Sequence, residues 1–225
     1  MRFAMTFAAA SLAMTGAASA DLIISEVIDA TLSGGNPKFV EITNTGSSSV
    51  TFASGGIILQ SNASTDLDID VDLTGVEIAA GQSYVIQSSA NGGQTVFEAV
   101  YGFAADLYTP AFFSNGDDRY ILNLDGVIVD IHGEIDTDGT GTAWEYLDGY
   151  AYRLPTAITG NGGVFDISEW FHSGVNGLED PGFDDQVETA LILSLTTPGT
   201  HDFVPEPASA ALLALGAFAL TRRSA

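Results

Sequence analysis

The segment from Glu134 to Glu145 (Glu134-Ile135-Asp136-Thr137-Asp138-Gly139-Thr140-Gly141-Thr142-Ala143-Trp144-Glu145) has carboxylates at positions 1, 3, 5 and 12 of a twelve-residue window and glycine at position 6. That is the spacing of a calcium loop, in which a hard cation gathers about six to eight oxygens. Glu134, Asp136 and Asp138 would give side-chain oxygens, Thr140 a backbone carbonyl and Glu145 two oxygens. Against this, Glu134 stands where aspartate is usual, Gly141 stands where an apolar residue normally packs, and the flanks read as strand. The competing reading is a Gly- and Thr-rich loop with solvated acids. A second acidic run is Asp66-Leu67-Asp68-Ile69-Asp70-Val71-Asp72. In an extended strand its four aspartates share one face at about 7 Å intervals. They would share a cation or form a solvated edge that discourages edge-to-edge pairing. Asn115, Asp117 and Asp118 form a third acidic group, read as a turn.

Other chemistry is sparse. His132, His172 and His201 have no metal-binding spacing, and no Gly-x-Ser-x-Gly elbow occurs. A two-carboxylate hydrolase needs acids about 5 to 10 Å apart across a cleft, and sequence nominates no pair. Trp144, Tyr146, Tyr150, Tyr152, Trp170 and Phe171 crowd the second half. Exposed, they could stack on sugars; buried, they are core.

The elements that must position these groups read as strands and turns. Leu22–Ile28, Phe39–Thr43, Val50–Phe52, Ile57–Gln60, Ser83–Gln87, Tyr120–Leu124, Val127–Ile131, Ala151–Leu154 and Thr189–Leu193 are strand-like. Asp125-Gly126 is a two-residue hairpin signal. The best helical stretch is short, around Gln94–Tyr101. Many short strands at regular spacing imply an all-β sandwich.

The ends differ from the body. Arg2, an apolar run from Phe3 to Met14, and small residues ending in Ala18-Ser19-Ala20 have the layout of a signal peptide, with Ala18 and Ala20 at the cleavage site. The last residues read Val204-Pro205-Glu206-Pro207, then an apolar run thirteen residues long from Ala208 to Leu220, then Arg222 and Arg223. A stable span needs about twenty residues, so this is a marginal one with its basic end on the cytoplasmic side. Residues 21–203 between the ends are one domain's worth of chain. They hold 28 of the 29 acidic residues and three basic ones, Lys38, Arg119 and Arg153, for a charge near −25. Nucleic acid and anionic membranes would be repelled. There is no cysteine, which removes disulfides, zinc–thiolate sites and cysteine catalysis.

Two resemblances follow from these residues. Pro205-Glu206-Pro207, the apolar stretch and the Arg222-Arg223 end resemble the PEP-CTERM sorting signal, which implies recognition by an exosortase, transient membrane contact through a C-terminal helix, and surface delivery. Leu22-Ile23-Ile24-Ser25-Glu26-Val27, Lys38-Phe39-Val40-Glu41-Ile42-Thr43-Asn44, Gly81-Gln82-Ser83-Tyr84-Val85-Ile86, Ser114-Asn115-Gly116-Asp117-Asp118 and Asp125-Gly126-Val127-Ile128-Val129-Asp130, in that order, resemble a lamin-tail domain over roughly residues 21–154. The resemblance implies an immunoglobulin-like β-sandwich and mostly non-catalytic binding or spacer work.

The expectation is a signal peptide over 1–20, a lamin-tail-like sandwich over 21–203 and a sorting signal over 204–225. The chain would be exported by signal peptidase and exosortase to the bacterial cell surface or extracellular matrix. There it would act in adhesion, matrix building or spacing, with calcium as a candidate stiffener and exopolysaccharide as a candidate partner. The alternatives are a carbohydrate-binding module, which needs an exposed aromatic platform, and a secreted hydrolase, which needs a cleft with two converging carboxylates.

Overall fold

The structure, a computed structural model, describes residues 21–203. Ala18, Ala20, Pro205, Glu206, Pro207, Arg222 and Arg223, on which the expected sorting signals rest, lie outside the described residues.

The described chain forms strands β1 (Leu22–Leu32), β2 (Asn36–Asn44), β3 (Val50–Thr51), β4 (Gly55–Gln60), β5 (Val71–Asp72), β6 (Glu77–Ile78) and β7 (Ser83–Ser88). Helix α1 (Gly93–Tyr101) follows, then β8 (Leu107–Thr109), β9 (Arg119–Leu124), β10 (Val127–His132), β11 (Tyr150–Arg153), β12 (Trp170–His172) and helix α2 (Asp185–Leu195). One sheet has the order β12-β11-β1-β2-β7-β8, a second β10-β9-β4-β5, and β3 pairs with β6. The two larger sheets enclose Leu22, Ile24, Val40, Ile42, Ile57 and Leu122, all buried. Each such side chain contributes about 1.5–3 kcal/mol on leaving water. This is an immunoglobulin-like β-sandwich.

The six-stranded sheet is covered on its other face too. There Ile28, Phe39 and Val85 pack against Phe97 of α1 and Ile192 of α2. With both faces covered, β1 and β2 are buried along almost their whole length, polar residues included. Between β9 and β10 the chain reverses through Asp125 and Gly126, both at positive φ. A type I′ turn requires this, and its twist matches that of the strands.

Two expected strands are not strands. Thr189–Leu193 lies within α2, whose start is capped by Asp184 accepting from Gln186 N–H at 2.9 Å. The run Asp66–Asp72 is irregular up to Asp70 and pairs only through Val71 and Asp72. Its aspartates close local turns instead: Asp66 accepts from Asp68 N–H, Asp72 from Thr74 N–H, and Asp70 from Leu59 N–H across the loop. Short polar side chains that bond neighbouring backbone compete with strand pairing.

The three basic residues of the body are all inside. Lys38 pairs with Asp29, and Arg153 pairs with Asp130 at 2.8 Å. Arg119 donates to Gln60 Oε1 and to the carbonyls of Ser64, Glu134 and Thr137. The charged groups left on the outside of the described domain are therefore acids.

Candidate functional site

The outward face of the six-stranded sheet carries a line of side chains that crosses four strands. Phe171 on β12 is opposite Tyr152 on β11, Tyr152 is opposite Glu26 on β1, and Glu26 is opposite Glu41 on β2. A bulge sets this register: pairing steps from Ile24–Ile42 to Glu26–Glu41, so Ser25 is an extra residue in β1. The bulge therefore puts two carboxylates directly opposite one another, an arrangement that is unfavourable when both are charged.

The aromatic half of the line is a stack. Tyr152 and Phe171 lie 4.9 Å apart with planes 22° from parallel, and Tyr150 lies 6.3 Å from Tyr152 at 17°. Phe171 is 38% exposed, Tyr152 half-buried and Tyr150 buried. Beside the stack a cavity of about 380 Å³ is lined by Glu26, Glu41, Tyr150, Tyr152, Thr200 and His201, among others.

The acidic half is deeply buried, with Glu26 2% and Glu41 0% exposed. Ser25 Oγ donates to Glu41 Oε1 at 2.6 Å, and Thr43 Oγ1 donates to Ser25 Oγ at 2.7 Å. The remaining partners come from the far end of the domain. After α2 the chain turns back over the pair: Thr197 N–H donates to both oxygens of Glu26 at 3.1 Å, and Gly199 N–H donates to Glu41 Oε2 at 2.6 Å. Pro198 between them is buried. Burial, and then the charge of Glu41, push Glu26 well above the carboxylate range. Burial pushes Glu41 up to about 7 against the pull of its hydrogen-bond donors. The cations of the body are engaged elsewhere, so burial favours the protonated, neutral form of the pair.

The other candidates are arranged differently. In the Glu134–Glu145 loop, Asp138 accepts from Thr140 N–H at 2.9 Å and Glu145 from Gly141 N–H at 2.7 Å, while Thr140 Oγ1 donates to Asp117 at 2.8 Å. The loop's start is fixed by Arg119 on the carbonyls of Glu134 and Thr137, and Asp136 is exposed at positive φ. These acids close the loop on itself, and among the described residues no three His, Asp or Glu side chains are arranged to hold a metal ion. Asn115 and Asp118 form the expected turn, each accepting from the other's backbone N–H.

Trp144, Tyr146 and Trp170 are core. They box in His132, which sits 4.6 Å from the Trp170 ring and 5.2 Å from Tyr146. Although their spacing is not that of a metal motif, His132 and His172 meet, Nε2 to Nε2, at 3.2 Å. Burial, then His172 and Arg153, hold His132 well below the imidazole range, and burial takes His172 down to about 4.

Sequence reading missed Glu26 and Glu41. Both sit in well-read strands, and neither was singled out there. The signal available was that β1 and β2 are too apolar on both faces for an open sheet.

A two-layer sandwich with its larger sheet roofed over a polar line is the class that fold and site define. The lamin tail domain family model matches residues 15–136, and the chain belongs to that family. No curated protein and no solved structure matches it. Glu26 and Glu41 fall inside the matched range, whereas Tyr152, Phe171, α2 and the segment over the glutamates fall beyond it.

Proposed function

We propose that this chain is a non-catalytic, exported surface or matrix protein that grips a neutral or amino-substituted saccharide of the extracellular matrix through Tyr150, Tyr152 and Phe171. The aromatic stack opening onto a cavity is the observation that carries this reading. Sugar rings present apolar C–H faces to aromatic planes, and the hydroxyls that line the cavity are suited to their polar edges. The charge near −25 over residues 21–203 disfavours anionic polymers. Export would run through signal peptidase at Ala20 and an exosortase acting near Pro205-Glu206-Pro207.

Affinity electrophoresis of the full chain through a neutral glucan and through a chitosan gel tests this. Retardation is expected in at least one, with about tenfold weaker binding in Tyr152→Ala and Phe171→Ala, the scale of one lost aromatic contact. Equal migration of wild type and both variants contradicts it.

Hydrolysis is the second reading, favoured by the paired Glu26 and Glu41. It fares worse, because their oxygens are taken up by the chain's own hydroxyl and amide donors. Calcium enters only if the Glu134–Glu145 loop opens and Asp138 and Glu145 leave their amide donors. An ion at a hundredfold its Kd adds about 2.7 kcal/mol to native stability. Thermal unfolding of the full chain with calcium and with EDTA decides: a rise of several degrees, lost in Asp138→Asn, assigns the loop to calcium. Equal midpoints leave it a self-closed turn.

A further inference from the structure

We infer that Glu26 and Glu41 are a proton-dependent latch holding the C-terminal segment Thr197–Phe203 down on the sheet, and that deprotonating the pair releases the segment and opens the cavity beneath it. This is separate from saccharide binding and stands whether or not a glycan is bound.

The geometry is specific. The strap is moored by two backbone amides, Thr197 N–H on Glu26 and Gly199 N–H on Glu41. Between them Pro198 wedges in, and Thr200 N–H turns back onto Thr197 O at 3.1 Å rather than onto the sheet. The upstream end is firmer: Thr196 N–H continues α2 to Ile192 O, and Thr196 Oγ1 meets Tyr101 OH at 2.8 Å. A hinge at Thr196–Thr197 would free the strap and leave α2 docked. The strap also supplies Thr197, Thr200, His201 and Asp202 to the cavity wall, so its departure unroofs the cavity.

The titratable groups around the pair offer no counter-charge. Tyr150 and Tyr152 face the cavity from β11, and Tyr101 on α1 feels Glu26. On the strap, His201 is held down to about 4 and is neutral, and Asp202 is a further acid. Arg153, which also lines the cavity, is committed to Asp130. Two charged glutamates here, buried and directly opposite one another, would repel against the pull of the strap's amides, and the simplest relief is to lift the strap and hydrate them.

The sign follows from linkage. A carboxyl raised on docking favours the docked state fully below its ordinary value of 4.5, and that preference is lost as pH rises through about 7. Between pH 6 and pH 8, Glu41 alone weakens the latch about tenfold, about fivefold of it below pH 7. Release frees seven residues, up to about 25 Å of extended chain. On the export reading above, this is slack between the domain and the sequence Val204-Pro205-Glu206-Pro207.

Hydrogen–deuterium exchange of the full chain, corrected for the intrinsic pH dependence of amide exchange, reads the latch directly. Protection of the Thr197 and Gly199 amides is expected to fall about tenfold from pH 6 to pH 8, with the amides of β1 and β2 unchanged. Glu41→Gln keeps an acceptor for Gly199 N–H, can donate to Ser25 Oγ and carries no charge, so it should hold the strap at both pH values. Equal wild-type protection at pH 6 and pH 8 overturns the latch, and so does a pH-dependent loss in Glu41→Gln equal to that of wild type. The wild-type series decides even if the variant folds poorly.

Discussion

The domain holds two like pairs. Glu26 and Glu41 lie on the outward face of the larger sheet, and His132 and His172 meet between the sheets. Each pair is kept neutral by burial, but neutrality means opposite things. The carboxyls are neutral with a proton, the imidazoles without one. The histidines are boxed by core aromatics, whereas the glutamates are closed off by a single strap. Titrating the histidines must break the core; titrating the glutamates need only lift a segment. The difference teaches that the partner covering a buried group decides whether its ionisation is a stability term or a switch.

The largest effect that tests this contrast lies beside the histidines. Arg153 is fully buried, and Asp130, which also accepts from Ile24 N–H and Asn161 N–H, is its charged partner. Arg153→Met leaves Asp130 without a cation in the core. A loss of about 3–5 kcal/mol is expected in denaturant unfolding at pH 7. A loss below about 1 kcal/mol would mean that the inner face is as adaptable as the outer.

Next in size is Glu41→Gln at pH 8, expected to raise stability by about 1–3 kcal/mol, since the wild-type carboxyl must ionise in the folded state at a cost. The gain should vanish near pH 4, below the ordinary value of 4.5, where Glu41 holds its proton folded and unfolded alike. A gain that is the same at both pH values would detach it from titration.

The histidines give the opposite slope. For a base lowered on folding, stability is intact above the unfolded value of 6.5 and falls as pH drops toward about 4. His172 is only partly buried, so its share is discounted to about 1–2 kcal/mol by pH 4.5. His172→Gln is expected to flatten the acid limb of a stability–pH curve while leaving the alkaline limb unchanged. If both limbs move, the two pairs are coupled and the contrast fails.

How much of this was legible in the sequence depended on how local the cause was. β1, β2 and the β9–β10 hairpin were readable, because alternation and the Asp125-Gly126 pair act within a few residues. Helix α1 was found for the same reason. The segment Thr189–Leu193 misled because a short apolar run fits strand and helix alike; Asp184 and the first-turn acids Asp185 and Glu188 were the better guide. Asp66–Asp72 alternates like a strand, yet its side chains bond nearby backbone. The acidic line was hidden for a longer-range reason. Glu26 and Glu41 look solvent-facing until residues 171 and 158 positions away close over them. No local pattern encodes that cover. The pairing of His132 with His172, 40 residues apart, was invisible in the same way.

The most direct test of the account is a carboxyl-carbon NMR titration of the full chain, following the side-chain signals of Glu26 and Glu41 from pH 4 to pH 9. Glu41 is expected to change protonation near pH 7 and Glu26 well above the ordinary carboxylate range. If Glu26 and Glu41 both finish titrating within the ordinary carboxylate range, the pair is hydrated and charged, and neither the covered site nor the latch exists.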